Sequence, residues 1–307
     1  MSEPKNHHYV PKVYLKEFSN SFKQFFQKIK KHGNITIKSI SQVCYEEYYF
    51  KLHKEDNLFL TKFKDHNYIE KNVFKKQENQ YPKLLKKITF PSLSLISISK
   101  LDASAFLETL ITIKRRNPTY RKVIIEDFKK MVTSDKFRAQ AEQGFEISRK
   151  IDKIDPELFF ENYVKESTTN VEKQSDFYLQ VFLDQENRTT ENTVQLLMKY
   201  RIYVYHAPFG IEYITSDNPG YTLMQDGRLF SFGAFGMPFT FIFPLTPKCC
   251  LLIKYTHQEE DKFNLNKNIH VVHASKQFVE TVNEGTKIIA LDKIFAYSKS
   301  VLEDMNH

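Results

Sequence analysis

Between Asn67 and Ile88 apolar residues return at helical spacing. Ile69, Val73, Tyr81, Leu84, Leu85 and Ile88 share one stripe, while Lys71, Lys75, Lys76, Lys83 and Lys86 crowd the other faces. The pattern predicts one amphipathic helix, stopped by Pro91. Asp102 reads as the cap of a second helix carrying Ala105, Phe106, Leu110, Ile111 and Ile113, and Pro118 breaks it after Lys114-Arg115-Arg116-Asn117. Further helices are predicted over Tyr120 to Val132, 135–150, 156–166 (opening at Asp155-Pro156) and Glu191 to Lys199. Near the amino terminus Val10, Tyr14, Leu15 and Phe18 fall at helical spacing behind Pro11.

Elsewhere the period is two. Phe25 to Ile29 and Ile35 to Ile40 read as a hairpin whose turn uses Gly33-Asn34, both suited to positive φ. Gln42 to Leu52 reads as a short helix or turn followed by a strand. Ile202 and Val204 are expected to pair with Ile211, Tyr213 and Ile214 around Ala207-Pro208-Phe209-Gly210. Phe239 to Pro244 and Cys250 to Tyr255 form two more strands, followed by a helix over 275–291 and a last strand at Ile294 to Tyr297. The order predicts an α+β fold: a mixed or antiparallel sheet from N- and C-terminal strands with a helical middle region. A single domain over 1–307 is expected, with the helical stretch of about 68–200 inserted in it.

With 41% hydrophobic and 14% aromatic residues the chain is globular in type. No apolar leader follows Met1, and no apolar run approaches the ~20 residues that cross a bilayer. Cys44, Cys249 and Cys250 show no zinc or redox spacing. A cytoplasmic protein without a membrane partner is therefore expected. Charge changes the picture more. Residues 1–100 hold 19 lysines, no arginine and 9 acidic residues, a net +10, whereas the remaining 207 residues net −2. A basic amino-terminal third suits a phosphate-bearing partner, although a lysine-rich bias also arises from composition alone.

Candidate chemistry gathers at two places. His7-His8-Tyr9-Val10-Pro11 puts two imidazoles just before a predicted helix start, where free amide protons attract anions. Tyr213-Ile214-Thr215-Ser216-Asp217-Asn218-Pro219 ends a predicted strand with hard oxygen donors for Mg²⁺ or Mn²⁺. The same Ser-Asp-Asn-Pro string is also a good turn, because Asp and Asn bond their own backbone and Pro fixes φ. Arg201-Ile202-Tyr203-Val204-Tyr205-His206 matches an Arg-x4-His ribonuclease signature, but on a segment that reads as strand. His257, His270 and His273 are scattered, and Cys249-Cys250 reads as a pair of buried structural thiols.

These motifs carry a resemblance. The chain resembles a widespread bacterial family known only as domain-of-unknown-function family 4238. The likeness lies in His7-His8-Tyr9-Val10-Pro11 with Leu15 and Phe18, Lys114-Arg115-Arg116-Asn117-Pro118 with Arg121, Ile214-Thr215-Ser216-Asp217-Asn218-Pro219, Phe243-Pro244-Leu245-Thr246-Pro247 and Asn283. The resemblance implies no reaction. It implies that the polar motifs belong together, and it points to a helix with two glutamates, for which this chain offers Glu70 with Gln77-Glu78. His-His-x-x-Pro is also similar to the opening of ββα-metal nucleases, without their downstream Asn and His spacing.

The resulting expectation is a metal-dependent phosphodiesterase or nuclease acting on nucleic acid, an effector of the kind found in phage defence or toxin systems. Asp217 with Glu70 or Asn218 would hold Mg²⁺ or Mn²⁺. His8 or His7 would be the general base, and Lys12, Arg115, Arg116, Arg121 and Asn218 would contact substrate phosphates. The alternative is a non-catalytic nucleic-acid-binding or protein-interaction protein whose motifs are structural. The two readings divide on whether the HHYVP and SDNP signatures meet in space and on what their side chains do there.

Overall fold

The computed structural model describes residues 5–52, 65–90, 94–148, 156–183, 189–233, 238–256 and 265–305; Pro91, Asp155 and His257 lie outside them. The chain forms two compact units. The first comprises Met1–Tyr49, Phe74–Thr119 and Arg188–His307, the second Phe50–Val73 and Tyr120–Asn187.

The first unit holds the sheets. Strand β1 (Asn6–His8) leads through the short helix α1 (Lys12–Leu15) and a 3-10 turn at Lys16–Phe18 into the hairpin of β2 (Gln24–Ile29) and β3 (Ile35–Ser39). Gly33 takes the left-handed conformation the turn needs, at φ 68°. A 3-10 turn at Ile40–Gln42 precedes β4 (Tyr45–Glu47), which returns antiparallel to β1. Helix α2 (Lys75–Ile88) buries Tyr81, Leu84, Leu85 and Ile88 of the predicted stripe and ends at Ile88, whereas Ile69 and Val73 fall ahead of it on a π-helical stretch at Ile69–Phe74. Strand β5 (Leu95–Ser99) passes directly into α3 (Lys100–Arg115). Its cap is Ser99, whose hydroxyl accepts the N–H of Asp102; Asp102 itself lies in the first turn and pairs with Lys87 at 2.5 Å.

The helices α4 (Pro118–Val132), α5 (Asp135–Ser148), α6 (Pro156–Thr169) and α7 (Val171–Leu183) follow, and from Tyr120 onward they belong to the second unit. Within it Phe128 stacks on Phe177 at 4.0 Å between ring centres. Helix α8 (Thr189–Met198) returns to the first unit.

Then come β6 (Arg201–His206), β7 (Thr215–Ser216), β8 (Tyr221–Met224), β9 (Leu229–Phe230), β10 (Phe239–Thr246), β11 (Cys249–Lys254) and β12 (Asn266–His273). Helix α9 (Lys276–Ile289), β13 (Lys293–Ala296) and α10 (Lys299–Asp304) complete the described chain. A seven-stranded sheet runs β5-β12-β6-β11-β10-β8-β9, with β12 parallel to β6 and every other pair antiparallel. A four-stranded antiparallel sheet, β3-β2-β13-β7, joins N-terminal to C-terminal strands. The fold is α+β. One expected pairing fails: Ile211 to Ile214 is irregular, and β7 pairs with β13, while β6 lies between β11 and β12.

Apolar burial explains how the layers meet. Val279 and Val282 of α9 pack with Tyr213, Tyr221, Ile242, Cys250 and Leu252 against the large sheet. Ile294 and Ala296 of β13 pack with Ile214, Ala290 and Leu302. Segment 213–218 thus lies between two cores, and this places the SDNP motif.

Candidate functional site

Both histidines of the opening motif lie on β1, ahead of helix α1, with His7 opposite Glu46 and His8 opposite Tyr45. The chain then turns at Pro11, whose carbonyl accepts the N–H groups of Tyr14 and Leu15, both at 3.1 Å. Val10, Tyr14, Leu15 and Phe18 are fully buried, which anchors the motif. His8 is itself largely buried, and its Nε2 has no hydrogen-bond partner among the described residues. Burial first, then the charges of Lys12 and Arg116, lower its pKa to about 4. The ring is therefore neutral near pH 7. His7 is 1% exposed, so neither imidazole faces solvent as an open catalytic base does.

Asp217 leaves β7 into a buried turn. Its Oδ1 accepts the N–H of Leu291 at 2.8 Å, and its Oδ2 accepts those of Asp292 and Lys293 at 2.9 Å each. Its own N–H donates to the carbonyl of Lys293 at 3.0 Å. One carboxylate thus closes the link between α9 and β13. Burial raises its pKa, and the same three N–H groups oppose the rise. A carboxylate so engaged fits a loop lock better than an open oxygen site for Mg²⁺ or Mn²⁺. Among the described residues no group of three or more His, Cys, Asp or Glu side chains is arranged to hold a metal ion.

Asn218 is engaged as fully. Its Nδ2 donates to Ser231 Oγ at 2.8 Å and to the Ile289 carbonyl at 3.0 Å, while its Oδ1 accepts from Lys114 Nζ at 2.6 Å. Lys114 is completely buried and donates also to the Gly220 carbonyl at 2.8 Å. Desolvation lowers its pKa and the charge of Asp217 raises it. Gly220 (φ 73°) has room for no side chain, since a Cβ there would stand 2.3 Å from Phe243.

The Lys114-Arg115-Arg116-Asn117 segment at the end of α3 ties the two signatures together. Arg116 donates to the carbonyl of His8 and, at 2.6 Å, to Glu78, while its guanidinium lies 3.9 Å from the centre of the Phe74 ring. Asn117 Nδ2 donates to the Asp217 carbonyl at 2.7 Å, and its Oδ1 accepts the N–H of Thr119 at 3.0 Å. Tyr14 adds a third tie, its hydroxyl lying 2.7 Å from Thr215 Oγ1 and donating to the Pro244 carbonyl at 2.8 Å. Asn283 of α9 accepts the N–H of Ile214 at 3.0 Å and donates to the Glu212 carbonyl at 2.9 Å.

Of the residues named from sequence, His8 (through its carbonyl), Arg116, Asp217 and Asn218 converge on this buried network, while His7 is buried on β1 opposite Glu46. Arg115 is 2% exposed and donates to Thr190. Lys12 is exposed on α1. Glu70 and Arg121 belong to the second unit, where Arg121 donates to Ser175 at 3.0 Å over the ring of Tyr178. Sequence reasoning missed Lys114 and Asn117 as the central donors. A signal for Lys114 existed: it continues the apolar stripe of Leu107, Leu110 and Ile111 at i+7, i+4 and i+3, where a charge is buried.

A different feature faces outward. On α2, Lys75, Lys76, Lys83, Lys86 and Lys87 are exposed and fall within about 120° of arc, a sector otherwise occupied by Asn79. Glu78 points elsewhere, to Arg116. Helix α1 lies against α2, with the rings of Tyr14 and Tyr81 edge-on at 6.4 Å. It adds exposed Lys12, and exposed Lys16 follows in the 3-10 turn. Lys16 and Lys86 act together on Glu17, whose pKa burial raises and these two charges pull down.

Fold and site together define an α+β protein whose separated polar motifs are tied into one buried hydrogen-bond network beneath a basic helical surface. The chain belongs to the family described as "Protein of unknown function (DUF4238)", whose model matches residues 6–300. No curated protein and no solved structure matches it.

Proposed function

We propose that the protein binds nucleic acid through the lysine face of α1, its following turn and α2. The observation that carries this reading is the α2 sector itself: five exposed lysines, of which only Lys87 is paired with a carboxylate (Asp102) among the described residues, on a helix whose opposite side is buried. Such a sector displaces condensed counterions from a phosphate backbone, which is the main source of sequence-independent affinity. The buried motifs are then the scaffold. Arg116 holds Glu78 of α2 to the carbonyl of His8, and Tyr14 of α1 is moored to Thr215 and Pro244. A cytoplasmic setting goes with this reading, because three free cysteines, all buried, stay reduced there.

Fluorescence anisotropy with labelled oligonucleotides between about 50 and 200 mM salt tests it. A linear fall of log K with log salt is expected, with a slope of roughly −3 to −5. The double variant Lys83→Glu with Lys86→Glu should bind about tenfold or more weakly while melting as the parent does. Affinity that ignores both salt and charge reversal ends the proposal.

One observation favours a second reading, phosphodiester cleavage by an effector of defence or toxin type. His8 is held as a neutral imidazole, the proton-accepting form, beside Lys12 and Arg116. Incubating the protein with mixed DNA and RNA, with and without Mg²⁺ or Mn²⁺, tests it. Cleavage that His8→Ala abolishes without lowering the melting temperature supports it, and intact nucleic acid under every condition ends it.

A further inference from the structure

We infer that the nucleic acid taken by this surface is single-stranded, with bases stacked on Tyr45 and Tyr48 and phosphates held by Lys12 and Lys16. The inference rests on the nucleic-acid reading of the lysine face and narrows it to one class of ligand. Its starting point is two exposed aromatic side chains at β4, Tyr45 beside His8 and Tyr48 three residues further on. Tyr45 and Tyr48 are 38% and 42% exposed, on and just after β4.

Three facts place them. Tyr45 lies opposite His8 in the β1–β4 register, with its ring 5.5 Å from the imidazole. Lys12 acts on the same imidazole, so Tyr45 and Lys12 share His8 as a neighbour. Tyr48 is fixed from the backbone, its N–H donating to the Lys5 carbonyl at 2.9 Å and its φ held at 55°. Both side chains therefore stand on a pinned main chain, and ordering them on binding costs little entropy.

The neighbouring charges allow the approach. Glu47 is matched by Lys5 at 3.0 Å. Glu46 alternates to the other side of β4 from Tyr45. Lys16 follows Lys12 by one helical turn, both exposed, and Lys16 and Lys86 of α2 lie around the half-buried Glu17.

Aromatic faces of this kind separate strand types. In a duplex the base faces are consumed by stacking on one another, and only the phosphates remain for the lysines. A single strand offers both groups: phosphates for Lys12 and Lys16, and unstacked bases for the tyrosines. Lysines alone do not prefer the single strand. The two tyrosines supply the preference.

Anisotropy titrations of the full chain with a labelled oligonucleotide of about 12 nucleotides, free and annealed to its complement, test the inference. The single strand should bind at least about tenfold more tightly than the duplex. Tyr45→Ala with Tyr48→Ala should remove most of that difference and leave duplex binding as it was, whereas Tyr45→Phe with Tyr48→Phe should retain it. Circular dichroism melts of each variant separate lost stacking from lost folding. Equal binding of both strand types, weakened by Lys83→Glu with Lys86→Glu, overturns the single-strand inference and leaves the lysine face standing. A preference that survives both alanines also overturns it. If neither strand type binds, the lysine-face reading falls and this inference falls with it.

Discussion

Asp217 shows what one side chain does when three main-chain donors converge on it. The N–H groups of Leu291, Asp292 and Lys293 lie on a turn that reaches the surface, whereas the carboxylate they satisfy is buried and would cost roughly 1–3 kcal/mol or more if left without donors. Asp217→Asn keeps one acceptor oxygen and turns an amide donor toward another donor. A loss of about 2–4 kcal/mol in urea unfolding is expected, and a change under about 0.5 kcal/mol would mean the carboxylate is not the lock described. His8 gives a second test, through pH. Its folded pKa of about 4 lies below the ordinary 6.5, so between those values the unfolded chain binds the additional proton. The stability contributed by neutral His8 is full above about pH 6.5 and is lost as pH falls toward 4. Asp217 works the other way: its raised pKa means the protonated form is favoured in the fold, a contribution lost as pH rises through the folded value. Comparing wild type with His8→Gln cancels that background. The wild type should lose about 2–3 kcal/mol more than the variant from pH 7 to pH 4, and parallel curves would refute the assignment. The sequence exposed Asp217 and His8 as polar residues in unusual settings. It could not show that their partners are main-chain amides and carbonyls, because every residue type but proline supplies those.

At the scale of elements, legibility followed periodicity. Helices α2, α3 and α9 were visible because their buried positions are apolar at 3.6-residue spacing. Helix α7 was not, since it buries Gln174, Ser175 and Asp176 along with Tyr178 and Leu179, and a buried side that mixes polar and apolar residues has no hydrophobic stripe. Short strands such as β5, β8 and β12 were missed because four to eight residues between irregular segments give too little alternation to read. Pairing is harder still: β7 has only two residues, and its partner β13 lies far along the chain. Helix α9 offers the sharpest test of how elements are fitted together. A Cβ at Gly285 would stand 2.3 Å from the Tyr221 ring, so α9 approaches β8 as closely as it does only because that position is glycine. Gly285→Ala should cost about 2 kcal/mol and lower the melting temperature by several degrees. Tyr221→Leu in the same chain should recover much of the loss, a non-additivity that shared contact requires. Simple additivity would show that the two residues do not compete for one space.

For the molecule as a whole, the charge asymmetry of the sequence overstates the surface that binding can use. Lys28 is buried and donates to the Leu302 carbonyl at 2.9 Å, in α10. Lys30 donates to Ile288 and Ala290 at the end of α9. These cations satisfy helix carbonyls that would otherwise lack donors, as cations near a helix C-terminus generally do. Part of the amino-terminal excess is therefore structural, and the part left for a partner is concentrated on α1 and α2. The division into two units has a dynamic consequence. The first unit contains the sheets, where β10 and β11 are buried along nearly their whole length between neighbouring strands. In the second, α4 buries only Phe128 and Val132 among its fifteen residues, so few apolar contacts oppose its opening. Local opening free energy follows buried contact, and the two units should not exchange as one. Hydrogen exchange followed by mass spectrometry should find amides of α4 and α6 deuterated well before those of β6, β10 and β11, with the order kept as denaturant is raised below the unfolding midpoint. Simultaneous exchange of all these segments would mean that the chain opens as a single cooperative body, and the helical unit would then have no stability of its own to lose.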